Sequence, residues 1–219
     1  VRQAIEAFGL DSCLTEIKGA TSIQYIDQQP SGEKIFVRYE QGVLGEYRVG
    51  AREREVIARS DLLMAVVYAQ IEGFFDSVME SPSPGLRAVD FSDLSGVTGG
   101  AQIVERYLDR FQVAFFGLSA GEPDLIDYLE RLAQKSGRLF IVTLGAEGSL
   151  ALGGEERLRC PALPVPQVVD TTGAGDAFAA GFLSEYCASG RVRESLSRGA
   201  EVAARAVQEL GAFFWPGRP

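Results

Sequence analysis

The run Val168-Val169-Asp170-Thr171-Thr172-Gly173-Ala174-Gly175-Asp176-Ala177-Phe178-Ala179-Ala180-Gly181-Phe182 decides how this chain is read. Two β-branched residues lead into a polar turn punctuated by glycine, and a helix of small residues opens at once. In that geometry the amides of Ala174, Gly175 and Asp176 converge at a helix start, where unpaired N–H groups and the partial positive charge of the helix favour an anion. An acid in the same turn works against simple anion binding. It suits a group that takes a proton from a hydroxyl attacking a phosphoryl centre. An Asp at its ordinary pKa of about 3.9 is ionised at pH 7, so Asp176 needs no special tuning for that task. Taken as local structure only, the same residues form an Asp-Thr-Thr turn with a helix N-cap, and the residues alone leave both readings open.

Two better-known phosphate motifs do not fit the run. A Walker loop needs G-x-x-x-x-G-K-[ST], and Lys18, Lys34 and Lys135, the three lysines of the chain, stand in other contexts. A dinucleotide fingerprint needs G-x-G-x-x-G, but its third glycine position is Phe178, and about 20 residues on the chain still reads as helix where an acidic strand end is required.

Outward from the run, the pattern alternates between apolar strands and helices. Leu62 to Val67, Leu86 to Phe91, Val113 to Phe116 and Leu139 to Leu144 are short apolar segments, separated by helical stretches at Ile71 to Met79, Ala101 to Phe111 and Pro123 to Gln134. Continuously apolar strands in β–α–β order predict a mostly parallel sheet covered on both faces. Gly148 to Leu152 and Arg157 to Cys160 flank Gly153-Gly154-Glu155-Glu156 as a hairpin, and Pro161 to Pro166 is an extended connector. Two final helices follow, one from about Gly175 to Ser189 and one from about Val192 to Leu210. The second carries a small-residue face of Gly199, Ala200, Ala203 and Ala206 that allows close packing. Near the start, Arg2 to Phe8 reads as the end of a helix capped by Gly9. Thr21 to Ile26 and Lys34 to Tyr39 form a hairpin about Gln28-Gln29-Pro30-Ser31-Gly32. No repeat and no long linker divides the chain, so 1–219 is expected to be a single domain with the hairpin of 21–39 as an appendage.

Composition narrows the chemistry. The chain has 219 residues, 46% hydrophobic and 23% charged, which is ordinary globular composition. Its net charge of −9 argues against a nucleic-acid surface, and no apolar run approaches the roughly 18 residues of a membrane span. Cys13, Cys160 and Cys187 are widely spaced, which fits reduced thiols in a cytoplasmic protein. There is no histidine, which removes catalytic triads, His-ligated zinc and imidazole acid–base chemistry together. Any proton transfer falls to carboxylates.

The run Asp170-Thr171-Thr172-Gly173-Ala174-Gly175-Asp176-Ala177-Phe178 resembles the second signature of the PfkB, or ribokinase-like, carbohydrate kinases. Val142-Thr143-Leu144-Gly145-Ala146-Glu147-Gly148-Ser149 resembles that family's nucleotide-side strand and turn, and Ala206 to Phe213 its C-terminal stretch. Ala88-Val89-Asp90-Phe91-Ser92-Asp93 and Gly211-Ala212-Phe213-Phe214 are most similar to fructoselysine 6-kinase-type members. The resemblance implies a three-layer α/β/α fold with a mostly parallel sheet and a small β lid, and ATP-dependent phosphoryl transfer to a sugar hydroxyl, with a fructosamine such as fructoselysine as acceptor. It implies Asp176 as catalytic base and the amides of Gly173, Ala174, Gly175 and Asp176 as anion hole, both in agreement with the reading of the residues. It sets Thr143, Gly145 and Gly148 beside the nucleotide, although these residues alone are a strand end and a turn.

The same resemblance implies a monovalent-cation site, such as one for K⁺, formed by Asp170 and Thr172 with backbone oxygens near Ala206, Glu209 and Gly211. Such hard oxygen donors suit the ion, though any helix end offers free carbonyls. The family's Asn-x-x-Glu on the Mg²⁺ side is here Ser119-Ala120-Gly121-Glu122, leaving Glu122 to organise water about Mg²⁺, or simply to sit in a first helical turn. Asp90 and Asp93 are strand-end acids that can face magnesium or substrate, or be loop acids. The family's first strand with its Gly-Asp sugar contact, and its glycine-and-Asn substrate motif, are expected before Val1. The hairpin corresponds to part of the lid, whose edge offers a route to a homodimer. The competing expectation is a non-catalytic nucleotide- or sugar-binding protein with an incomplete acceptor site.

Overall fold

A computed structural model describes residues 2–28, 34–94, 99–154 and 157–211. Residues 29–32 of the first expected turn, Glu155 and Glu156 of the second, and Ala212 to Phe214 lie outside the described residues. The chain divides into two compact units, one of Val1–Ser60 with Val67–Pro84 and one of Asp61–Val66 with Gly85–Pro219.

The first unit contains α1 (Arg2–Ala7), β1 (Ile23–Gln28), β2 (Lys34–Glu40) and α2 (Ala51–Ile57). Strands β1 and β2 pair antiparallel as a two-stranded sheet of their own, with the register slipping between Tyr25 and Ile26, so the expected hairpin is present. Gly9 closes α1 at φ 70°, the left-handed conformation that glycine adopts freely. The pattern of apolar residues does not announce α2, because its run Ala-Arg-Glu-Arg-Glu-Val-Ile has no apolar stripe. A carboxylate starts it instead. Glu53 Oε2 accepts the Gly50 N–H at 3.1 Å, and its Oε1 accepts the Tyr47 hydroxyl at 2.8 Å and the Thr15 hydroxyl. These bonds, that of Thr15 foremost, hold the Glu53 carboxyl down at about 2.

Strand β3 (Leu62–Val66) belongs to the second unit, whereas α3 (Glu72–Met79) belongs to the first. The second unit continues with β4 (Leu86–Asp90), α4 (Gln102–Tyr107), β5 (Val113–Gly117), α5 (Pro123–Ser136), β6 (Leu139–Thr143), β7 (Ser149–Leu152), β8 (Leu158–Cys160), α6 (Ala174–Ser189) and α7 (Val192–Ala206). Its six strands lie in the order β3-β4-β5-β6-β7-β8, parallel from β3 to β6 and antiparallel from there to β8. Sequential parallel neighbours joined by right-handed crossovers place their connecting helices on one face, which is where α4 and α5 belong. Helices α6 and α7 take the other.

The strands show why two helical layers are needed. Ala88, Val113, Phe115, Ile141 and Ala151 pack with Phe178, Phe182 and Leu183 of α6 and Leu196 and Ala200 of α7. Their alternates Val89, Ala114, Phe116, Phe140 and Val142 are just as buried and belong to the opposite face. There Phe91 stacks on Phe116 at 5.4 Å, and Phe140 packs against Phe116 at 5.3 Å and Phe111 at 6.1 Å. A strand apolar on both sides must be covered on both sides. The fold is accordingly the expected three-layer α/β/α arrangement with a mostly parallel sheet.

The helix boundaries follow local chemistry. Pro123 opens α5 where its missing N–H costs nothing, and Gly137 closes it at φ 67°. Between α6 and α7 the backbones approach closely. A Cβ on Gly181 would lie 2.8 Å from both the Arg198 oxygen and Val202 Cγ2, and one on Gly199 would lie 3.0 Å from the Phe178 ring. Helix α7 ends at Ala206, short of the expected Leu210. The reason is a competing use of its last carbonyls, since Val207 O accepts the N–H of Val169 at 2.7 Å and of Asp170 at 3.2 Å. Helix α4 also stops early, at Tyr107, and a 3₁₀ turn over Leu108–Arg110 leads to β5.

Candidate functional site

The candidate site lies where β4, β5 and β6 end, at Asp90, Gly117 and Thr143, and where α6 begins. The crevice beyond the carboxyl ends of parallel strands is where such sheets take ligands, because side chains there are held by the core yet reach solvent.

Gly173 starts α6 in the left-handed conformation, φ 79° and ψ 3°, and its carbonyl accepts the Ala177 N–H at 2.9 Å. The amides do not all converge as the sequence suggests: Ala174 donates its N–H to Thr171 O at 3.1 Å. A tight turn needs that bond to reverse the chain. Gly175 and Asp176 keep N–H groups with no hydrogen-bond partner among the described residues. Open space surrounds them, for a Cβ on Gly175 would meet nothing within 4 Å. Two oriented donors and the start of a 16-residue helix thus face outward at one point.

Asp176 sits in that first turn, and partial burial pushes its carboxyl pKa above the ordinary value. This corrects the expectation of an untuned acid. Protein on one side of the carboxylate removes some of the water that would stabilise its charge.

Asp90 is close enough to Asp176 to respond to its charge. Burial pushes the Asp90 pKa up to about 6, the Ser92 N–H opposes that rise, and the Asp176 charge adds to it. In the unfolded chain the group titrates near 3.8. Between those values the folded state holds more protons than the unfolded one, so this group's contribution to stability falls as pH rises from about 4 to about 6 and stays low above. The two-unit shift sets a ceiling of about 3 kcal/mol on the effect. Asp90→Asn is therefore expected to be more stable than the parent at pH 7.5 and equal to it near pH 4. Paired urea melts at those two pH values check this.

The remaining expected site residues fall into three groups. Thr143 ends β6, where its carbonyl accepts the Leu118 N–H at 2.9 Å and its hydroxyl donates to Phe116 O at 3.3 Å, so it ties β5 and β6 together. Gly145, at φ 57°, opens a 3₁₀ turn with free space around it. Gly148 is enclosed, since a Cβ there would lie 2.2 Å from Cys160 O and 2.8 Å from Ala162 N. Of these two glycines, Gly145 is open to a neighbour and Gly148 is occupied with packing.

Glu122 is the N-cap residue of α5, and its Oε2 accepts the Ser119 N–H at 2.8 Å. Ser119 Oγ in turn accepts the Gly121 N–H at 3.1 Å. One carboxylate oxygen of Glu122 thus holds the turn, and an exposed carboxylate set on a rigid turn suits a hydrated Mg²⁺.

Asp170 joins two segments, with Oδ1 accepting the Thr172 N–H at 2.8 Å and Oδ2 the Gly211 N–H at 3.1 Å. Ala206 O accepts the Glu209 N–H at 3.2 Å. The chain therefore brings Asp170, Thr172 and Gly211 together, and the sequence missed Val207, whose carbonyl accepts the N–H groups of Val169 and Asp170. An all-oxygen set of this kind suits a hard monovalent cation. Among the described residues there is no cluster of three or more His, Cys, Asp or Glu.

Residues 113–216 match the model of the pfkB family carbohydrate kinases. Over 213 residues the chain is 25% identical to fructoselysine 6-kinase of Escherichia coli K12, covering 97% of this chain and 79% of that protein. Among solved structures, ribokinase of Thermotoga maritima superposes with a TM-score of 0.76 at 21% identity, over 96% of this chain and 70% of that one. The Arabidopsis thaliana ribokinase complexed with ribose and ATP gives 0.69 at 21% identity, over 95% of this chain and 72% of that one.

Proposed function

We propose that this chain, whose residues 113–216 match the PfkB family of carbohydrate kinases, is a sugar kinase that transfers the γ-phosphoryl group of Mg-ATP to a hydroxyl of a fructosamine such as fructoselysine. The observation that carries the reading is the first turn of α6. There the amides of Gly175 and Asp176, which have no hydrogen-bond partner among the described residues, and the carboxylate of Asp176 stand together beside Asp90.

Asp176 takes the proton of the acceptor hydroxyl as that oxygen bonds to the γ-phosphorus, and the bond to the β-phosphate oxygen breaks, releasing ADP. Partial burial raises the pKa of Asp176, which makes it a better base than a free carboxylate. The open amides at the head of α6 meet charge on the transferring group with donors already in place. Gly173 provides the left-handed turn that aims them, and Ala174 holds that turn closed. Thr143 and Gly145 shape the nucleotide side, with Gly148 closing the turn that Gly145 opens. Glu122 would hold Mg²⁺ through water, and that ion supplies charge neutralisation on the β- and γ-phosphates. Asp170, Thr172 and the carbonyls near Ala206, Glu209 and Gly211 would hold a monovalent cation behind the amides.

The reading treats the chain as one ribokinase-like working domain in the cytoplasm, where free Cys13, Cys160 and Cys187 are at home. Among the described residues no helix is long and apolar enough to cross a membrane. The β1–β2 hairpin serves as the lid element, and the exposure of Ile23, Tyr25 and Val37 on it supports a homodimer formed through that sheet.

Release of ADP from Mg-ATP in the presence of fructosamines, fructose, ribose, 2-dehydro-3-deoxygluconate and nucleosides tests the assignment. The expected result is acceptor-dependent turnover that is fastest with a fructosamine. Turnover confined to nucleosides would replace the acceptor class, and ADP release indifferent to every acceptor would overturn sugar phosphorylation.

A further inference from the structure

Asp90 ends β4 with its Oδ1 accepting the Ser92 N–H at 2.8 Å. The turn that delivers this N–H is strained, for Ser92 and Leu94 both take positive φ, 52° and 64°, without being glycine. Three backbone bonds hold it: Phe91 N–H to Phe115 O at 3.0 Å, Leu94 N–H to Phe91 O at 3.1 Å, and Gly117 N–H to Ser92 O at 2.8 Å. Asparagine would also accept the Ser92 N–H and would carry no charge. Instead the position holds a half-buried carboxylate within reach of the Asp176 charge, with no ion pair to either acid among the described residues. The Asp90 Oδ2 has no hydrogen-bond partner among the described residues either. A carboxylate kept where the amide would serve the fold better points to a use for its charge.

We propose that Asp90 determines acceptor specificity: its Oδ2 accepts from the acceptor beside the hydroxyl that Asp176 deprotonates, and its charge selects acceptors of net positive or zero charge over acceptors of net negative charge. This rests on the kinase reading with Asp176 as base. Two uncompensated acids make one wall of the site negative. An ammonium group gains from that wall, a neutral polyol donates hydrogen bonds to it, and an anion is repelled. A cationic fructosamine meets both carboxylates favourably. A sugar acid meets at least one of them unfavourably.

The test compares the parent enzyme with Asp90→Asn on fructoselysine, fructose and 2-dehydro-3-deoxygluconate. The expected result is a fall of about 10- to 100-fold in kcat/KM for fructoselysine, with KM for ATP within about twofold of the parent. A smaller fall is expected for fructose, and none or a gain for the sugar acid. The melting temperature at pH 7.5 is expected to rise by a few degrees, which a merely structural residue would not show. An equal change for all three acceptors, or a lowered melting temperature accompanying the loss, would overturn the proposal while leaving the kinase reading intact. A parent enzyme inert toward every acceptor would overturn the kinase reading and this inference with it.

Discussion

Replacing Asp176 by asparagine is expected to lower kcat by about 10²- to 10⁴-fold, or roughly 3 to 5 kcal/mol of barrier, with Mg-ATP binding retained. The side chain keeps its size and its place in the first turn of α6, so Gly173, Ala174 and Gly175 have no reason to move. The ability to take a proton is what is lost. Removing the charge beside Asp90 also relieves a repulsion, so the variant is expected to melt no lower than the parent. Steady-state kinetics together with the melting shift produced by Mg-ATP separate the two effects. A variant with unchanged kcat would remove Asp176 from the base role. A variant that loses turnover because it no longer binds Mg-ATP would show that the acid shapes the nucleotide side instead.

The second large effect is on stability. Phe140→Ala is expected to cost about 3 to 5 kcal/mol and to lower the melting temperature by roughly 10 °C. Phe140 is fully buried and touches both Phe116 and Phe111, while Phe116 carries the stack on Phe91. Truncation leaves a cavity at the centre of this aromatic layer, and the neighbours cannot close it without leaving their own contacts. Thr143 lies three residues further along the same strand, so the site is expected to lose activity in step with the folded fraction at raised temperature and to keep it in the cold. Thermal unfolding followed by circular dichroism checks this. A drop of less than about 2 °C would mean that the layer repacks, contrary to the tight packing described for it.

Much of this architecture is legible from residue pattern because it rests on burial. Strands β3 to β6 are apolar on both faces, as a sheet covered twice must be, and the glycine and alanine face of α7 reads directly as a close helix contact. What escapes the pattern is structure set by single hydrogen bonds. Helix α2 has no apolar stripe and depends on Glu53 satisfying Gly50. The end of α7 depends on Val169 and Asp170 claiming the Val207 carbonyl, a contact between residues far apart in sequence.

The candidate site divides along the same line. Its location and its acid at the head of α6 follow from the glycine-punctuated turn, which is a local feature. The loss of the Ala174 amide to Thr171 and the raised pKa values of Asp176 and Asp90 do not, because they depend on how the turn closes and on which elements surround the carboxylates. Asp90 in particular reads as one of two ambiguous loop acids until β4 is seen to end beside the start of α6.

The most direct measurement follows the phosphoryl group itself. Enzyme is mixed with Mg-ATP labelled at the γ-phosphate and with fructoselysine, and the products of a single turnover are separated for the parent and for Asp176→Asn. The account predicts label on an acceptor hydroxyl for the parent and almost none for the variant over the same time. Label appearing only as inorganic phosphate, or at equal rates on the acceptor in both proteins, would contradict it.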